Sequence, residues 1–419
     1  MNRSIAPEFK KVIDITQVFP KRIELTNDID LFILDETQDD TIKLDICWDA
    51  GSKHQKKSLS ASFTNALLLA GTDKISAHDI SDKIDYQGGY VSQDIDKDQA
   101  SVTLYGLNDK IETIFDIFND GFINACFPKS ELEKLIAIRK NGFNISMEKV
   151  STICRQEFNK YIFGKDSQYG KVAEIEDFDK VTQQDLIDYY TEFYRTHKPT
   201  LFLVGKVDDS FIKKLKDWAS KMGTTSPTYS PDIFNQTKGR IRTSKDGAIQ
   251  TAIRIGQLMF QKDHPDYYNF QILNTILGGY FGSRLMANIR EDKGYTYGIG
   301  SGLSVLDDSA YFFISTEVAT EVVDNTLIEI YKEIDKLKND LIKANELERV
   351  KNYLLGEFLR QADGSIAMME NFKNIYFNNL NKDYYTNFIK AINNVTSEQL
   401  KELANKYWIK ENMLEVLAG

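Results

Sequence analysis

Apolar residues recur along this chain at two spacings. Ile42, Leu44, Ile46 and Trp48 alternate with polar positions, as do Val102 and Leu104, which predicts strands with one buried face. Ile111, Ile114, Phe115 and Phe118 then fall at i, i+3, i+4 and i+7, the stripe of an amphipathic helix. The second half answers with a strand at Ala310 to Ser315 and a helix carrying Val323, Leu327, Ile330, Tyr331 and Ile334. Each half therefore runs strand, helix, strand, helix and then a helical tract. The expected class is α+β: two homologous domains, each a mainly antiparallel sheet with helices packed on one face.

An internal repeat supports the division. Residues 179–205 align without gaps on residues 393–419, at an offset of 214. Thr182 and Thr396 stand as N-caps, with Asp185 and Gln399 three residues on, close to a capping box. Leu186 and Leu400 begin the apolar face, Tyr194 and Trp408 close it, and each copy ends in a short apolar strand finished by Gly205 or Gly419. A second pair of tracts, starting at Glu131 and Glu346, repeats at an offset of 215. Residues 223–240 hold two of the seven prolines and few apolar residues, so they are expected to link a first domain over 1–222 to a second over 241–419.

Composition narrows the function. With 52 Lys and Arg against 62 Asp and Glu, the net charge is −10, and no basic block overrules it, so nucleic acid is not an expected partner. No uncharged run is long enough to span a bilayer. Three scattered cysteines argue against a disulfide framework, and the first residues lack the apolar core of a signal peptide; the expectation is a cytoplasmic protein. The four histidines, His54, His78, His197 and His264, show no metal-ligand spacing. Cys47 lies on an apolar strand and reads as a core residue rather than a nucleophile. The glycine-rich run Gly298 to Gly302 lacks a following amphipathic helix and reads as a strand with bulges rather than a phosphate loop.

Two segments bring the chain into register with a known family. Residues 51–72 and the tract LGGYFGSRLMANIREDKGYTYGIGSG at residues 277–302 resemble the pitrilysin/insulinase zinc metallopeptidases. The resemblance covers nearly the whole chain and implies a subunit of two domains shaped as a half-clamshell. The family carries H-x-x-E-H on a helix, two zinc ligands at i and i+4 around a general base. Here those positions are Ser62, Asn65 and Ala66. The family's third ligand, a downstream Glu, falls in Ala137 to Ile145, which contains no carboxylate. The resemblance thus implies a chain without zinc or any other metal or cofactor of its own.

What the chain keeps is the family's Arg and Tyr seven residues apart, here Arg290 and Tyr297, which the resemblance assigns to holding a substrate carbonyl. The alternative is structural: Arg290 as a cation at a helix C-terminus and Tyr297 as a sheet residue. Strand alternation is expected to turn Tyr295 and Tyr297 to the same face. The resemblance further implies a non-catalytic subunit of a heteromeric peptidase. Its partner would be a homologous H-x-x-E-H subunit carrying the zinc, or a second copy of itself, and its substrates unfolded or short peptides added to a sheet edge. A peptide-binding or structural assembly protein of the same fold, and an independently active hydrolase with an unrecognised site, stay open beside it.

Overall fold

The computed structural model describes residues 17–26, 28–35, 40–226 and 232–419. Part of the expected linker, 227–231, lies outside them. The first sheet contains β1 (Lys21–Glu24), β2 (Asp30–Leu34), β3 (Thr41–Trp48), β4 (Tyr90–Ile95), β5 (Ala100–Leu107) and β6 (Thr200–Val204), in the order β1-β2-β6-β3-β5-β4. The second contains β7 (Gly239–Thr243), β8 (Gln250–Met259), β9 (Ile299–Val305), β10 (Ala310–Ala319) and β11 (Leu414–Ala418), in the order β7-β11-β8-β10-β9. Without β1 the two orders are identical. Each sheet is antiparallel except for one pair, β2 with β6 and β7 with β11. β7 starts at Gly239, two residues inside the stretch assigned to the linker.

The local signals act as their chemistry dictates. Thr182 and Thr396 each accept from the backbone N–H three residues on, and Asp185 and Gln399 return the bond to the cap's own N–H. Leu186 and Leu400 are fully buried. Gly205 and Gly419 have φ of 126° and 153°, and a Cβ on either would collide with a neighbouring strand, so both copies must end on glycine. β9 runs against β10 in unbroken register from Ile299 to Val305, so the expected bulges are absent; Gly300 instead lies against the Thr275–Gly279 segment, whose Gly278 abuts Ser301, and Gly302 leaves room for the Phe313 ring.

The two halves hold each other by exchanging helices. Ile42, Leu44, Ile46 and Trp48 face the first domain's own helices, including Ile111–Ile123. The opposite face, with Phe32, Cys47, Phe202 and Val204, is covered by Met369 and Phe372 of Ser365–Phe377, a helix of the second half. Conversely, Val150, Cys154, Phe158 and Ile162 of Val150–Phe163, a helix of the first half, cover Leu414, Val416 and Ala418 of β11. Burial of Phe158 and Phe372 is worth about 1.5 to 3 kcal/mol each, so these helices couple the domains strongly. Polar ties reinforce the seam. Lys53 reaches Asp98 at 3.0 Å and, across the halves, Asp307 and Asp308 at 3.1 Å each. Asp45, buried on β3, pairs with Lys43 at 3.1 Å and with Lys373 of the exchanged helix at 2.9 Å.

Candidate functional site

Ser62, Asn65 and Ala66 lie on the short helix Ser60–Ala66, which enters through Leu59 at a φ of 70°. Asn65 is buried, and its Oδ1 accepts from the Tyr194 hydroxyl at 2.9 Å. Burial drives that phenol far above its usual range, so it stays protonated and remains a donor. The Ser62 hydroxyl donates to the carbonyl of Leu59 at 3.2 Å, and Ala66 offers a methyl group. On the helix Lys129–Met147, the stretch where the family's third ligand would fall holds no carboxylate, as expected, and it brings Arg139 to the motif. Its guanidinium lies 4.9 Å from the Phe63 ring centre and donates to the carbonyl of Ser62 at 3.2 Å. Desolvation lowers its pKa, yet a guanidinium remains a cation.

These residues do not fit a zinc ion. The one amide oxygen is already bonded, the hydroxyl is spent on its own helix, and a positive side chain faces the motif. Among the described residues no group of three His, Cys, Asp or Glu is arranged to hold a metal. His54 and His197 do converge, both ring-packed on Phe193, although their sequence separation gave no hint of it. Cys47 is buried, and burial pushes its thiol up to about 12, which removes the thiolate a nucleophile needs.

The second half is arranged the other way. Arg290 lies in the last turn of a wide helical segment, Met286–Asp292, anchored by buried Met286 and Ile289. Gly294, at a φ of 65°, reverses the chain, and the N–H of Tyr295 closes on the carbonyl of Ile289 at 3.0 Å. Tyr295 then turns into the core, whereas Tyr297 is 89% exposed. The expectation that both share a face is therefore wrong, because they lie in the loop before β9, where strand alternation does not operate. Arg290 does stand in the last turn, where a cation is favoured. Its guanidinium, however, packs on two rings, 4.8 Å from the centre of Tyr297 and 5.0 Å from that of Phe281. It makes no hydrogen bond or ion pair with any described residue. Phe281, which the sequence reading passed over, is itself 63% exposed.

The structure thus brings Arg290 and Tyr297 together and places Ser62, Asn65 and Ala66 on a helix of the other domain, with Asn65 buried and Ser62 and Ala66 half-buried. Chemically, the first cluster is closed on itself. The second presents a fixed cation and a phenol outward, and both can donate to an oxygen that arrives from outside.

Comparison with known proteins fits this plan. A family model described as "Insulinase (Peptidase family M16)" matches residues 31–160, and another described as "Peptidase M16 inactive domain" matches residues 180–354. An "Uncharacterized zinc protease YmxG" of Bacillus subtilis is 22% identical over 405 residues, 95% of this chain and 98% of that protein. The bovine mitochondrial-processing peptidase subunit beta is 22% identical, over 77% of this chain and 68% of its own. Among solved structures, a peptidase M16 inactive domain from Pseudomonas fluorescens superposes with a TM-score of 0.85 at 22% identity, covering 96% of this chain and 98% of that one. A Helicobacter pylori protease gives 0.83 at 16% identity, covering 96% and 100%.

Proposed function

This chain belongs to the pitrilysin/insulinase (M16) family of peptidases, and we propose that within it the chain is the zinc-free subunit of a two-chain endopeptidase. One observation carries the reading: the positions of the zinc motif are closed off by Tyr194 and Arg139, while Arg290 and Tyr297 stand outward without a polar partner among the described residues. A chain that had lost the whole function would have no reason to hold an unneutralised guanidinium against an exposed tyrosine.

In this reading a homologous subunit bearing H-x-x-E-H supplies the metal and the general base. Arg290 and Tyr297 donate to the carbonyl oxygen of the bound peptide and to the negative charge that grows on it. An unfolded or short peptide would lie as an added strand. β4 and β9 end their sheets, but the Asn274 amide donates to the carbonyl of Ser301 on β9, which favours the edge of β4 for that pairing. No helix among the described residues is long and apolar enough to cross a membrane, and a cytoplasmic place of action belongs to the same proposal.

The test is reconstitution. The purified chain is mixed with an H-x-x-E-H homologue from the same source, and complex formation and cleavage of short peptides are measured for each chain alone and for the mixture. Cleavage confined to the mixture is expected. A mixture that forms no complex, or cleaves no better than the motif-bearing chain alone, overturns the reading in favour of a binding or structural role.

A further inference from the structure

Arg284 and Arg290 sit six residues apart in one tract and are treated oppositely by the fold. The Arg284 fork is filled by the carboxylate of Glu346, at 2.8 Å from Nε and 3.0 Å from Nη2. The Arg290 fork is empty: its flanks are taken by Phe281 and Tyr297, and neither Glu291 nor Asp292 beside it forms an ion pair with it. Rings against a guanidinium displace water from its planar surface and leave its edge N–H groups as the donors that remain. Those donors match a carboxylate in two parallel charge-assisted bonds, which a single peptide carbonyl cannot reproduce.

The loop that carries Phe281 is built to hold this arrangement. Tyr280 packs on Tyr353 in a tilted pair with ring centres 4.8 Å apart, fastening the loop to the helix Ala344–Gln361. The N–H of Ser283 closes a turn onto the carbonyl of Tyr280 at 3.1 Å, and a Cβ at Gly282 would come within 2.8 Å of the Tyr280 ring. The turn therefore sends Tyr280 inward and Phe281 outward, over Arg290. A phenylalanine so exposed, without another large ring to bury it, is an unusual outlay for stability alone.

We infer that Phe281, Arg290 and Tyr297 form a receptor for a peptide carboxylate, with Phe281 as the positioning residue that holds the guanidinium edge-on to its ligand. The inference rests on the proposed function in that it concerns the same site, and it names the substrate class: peptides carrying a carboxylate, from either an acidic side chain or the chain's own C-terminus.

The experiment uses the whole chain alone and fluorescein-labelled peptides of one neutral sequence in three forms: C-terminally amidated, with a free C-terminus, and amidated with one glutamate. Anisotropy is expected to show at least about tenfold tighter binding for one or both carboxylate forms, weakening with salt, and the two forms tell the sources apart. Arg290→Lys should abolish the preference, Phe281→Ala should reduce it several-fold, and Phe281→Tyr should restore it, with melting temperatures unchanged. In the reconstituted complex Phe281→Ala should raise KM more than it lowers kcat. Equal binding of all three peptides, or a preference indifferent to Phe281→Ala, overturns the inference. A carboxylate preference that persists where no cleavage can be reconstituted would leave the receptor standing and remove the peptidase reading. Arg290-dependent cleavage without the preference would do the reverse.

Discussion

Asn65 and Arg290 lie in different domains, each on a short helical segment, and their surroundings are opposite. Asn65 is buried, bonded to a buried tyrosine and faced by Arg139. Arg290 is half-buried, without a polar partner among the described residues, and flanked by exposed rings. Once the zinc donors are gone, the first site has been knitted into the core, where an unsatisfied polar group would cost about 1 to 3 kcal/mol. The second has been left open at a cost the fold could have avoided. Duplicated domains can diverge by satisfying one site and sparing the other.

The strongest attempt to break this contrast is to rebuild the lost motif. Ser62→His, Asn65→Glu and Ala66→His together place a carboxylate in a buried pocket and imidazoles beside Arg139. We expect a loss of about 3 kcal/mol or more in stability and no stoichiometric zinc, measured by denaturant unfolding and elemental analysis. One zinc held per chain would show that the pocket is still a metal site.

Next in size is the open site. Arg290→Ala or Tyr297→Phe in the reconstituted peptidase should lower turnover about 10²-fold, the scale of one lost oxyanion donor. Stability should change by no more than about 1 kcal/mol, the most that a charge at a helix end provides on an exposed segment. Unchanged cleavage with reduced stability would make Arg290 a helix-end cation and nothing more.

A pair of tyrosines sharpens the same contrast. Tyr194→Phe leaves the Asn65 oxygen without its donor and should cost about 1 to 3 kcal/mol, whereas Tyr297→Phe should cost less than about 0.5 kcal/mol. Equal costs would mean that the two sites are not built differently.

The smallest expected effect lies at the seam between the halves. Burial, then Asp98, raise the Asp307 carboxyl to about 6, against the pull of Lys53. The folded state therefore holds that proton more tightly than the unfolded chain. Its contribution favours folding below the ordinary carboxyl range and is lost as pH climbs from about 4 to about 6. Asp307→Asn, neutral throughout, should gain stability relative to the parent over that interval, by under about 1 kcal/mol because the side chain is a third exposed. Melting temperatures across the range check the sign; a difference independent of pH would mean that Asp307 titrates normally.

The alternation on β3, the stripe on Ile111–Ile123 and the two capping boxes are all relations between residues close in the chain, so the sequence alone determined them, together with the duplication and the missing zinc donors. One long-range fact was also written there and went unread. β2 and β6, with the runs DLFIL and TLFLV, are apolar at nearly every position, the mark of strands buried on both faces. Which helix covers the second face was not legible. Periodicity reports that a face is buried but not against what, and Phe372 meets Phe202 across 170 residues of chain. For the same reason only the tertiary structure could bring Arg139 over the broken motif, turn Tyr295 inward while Tyr297 stays out, and set Phe281 on Arg290. Each depends on a loop path or a distant helix, and side-chain spacing carries no information about either.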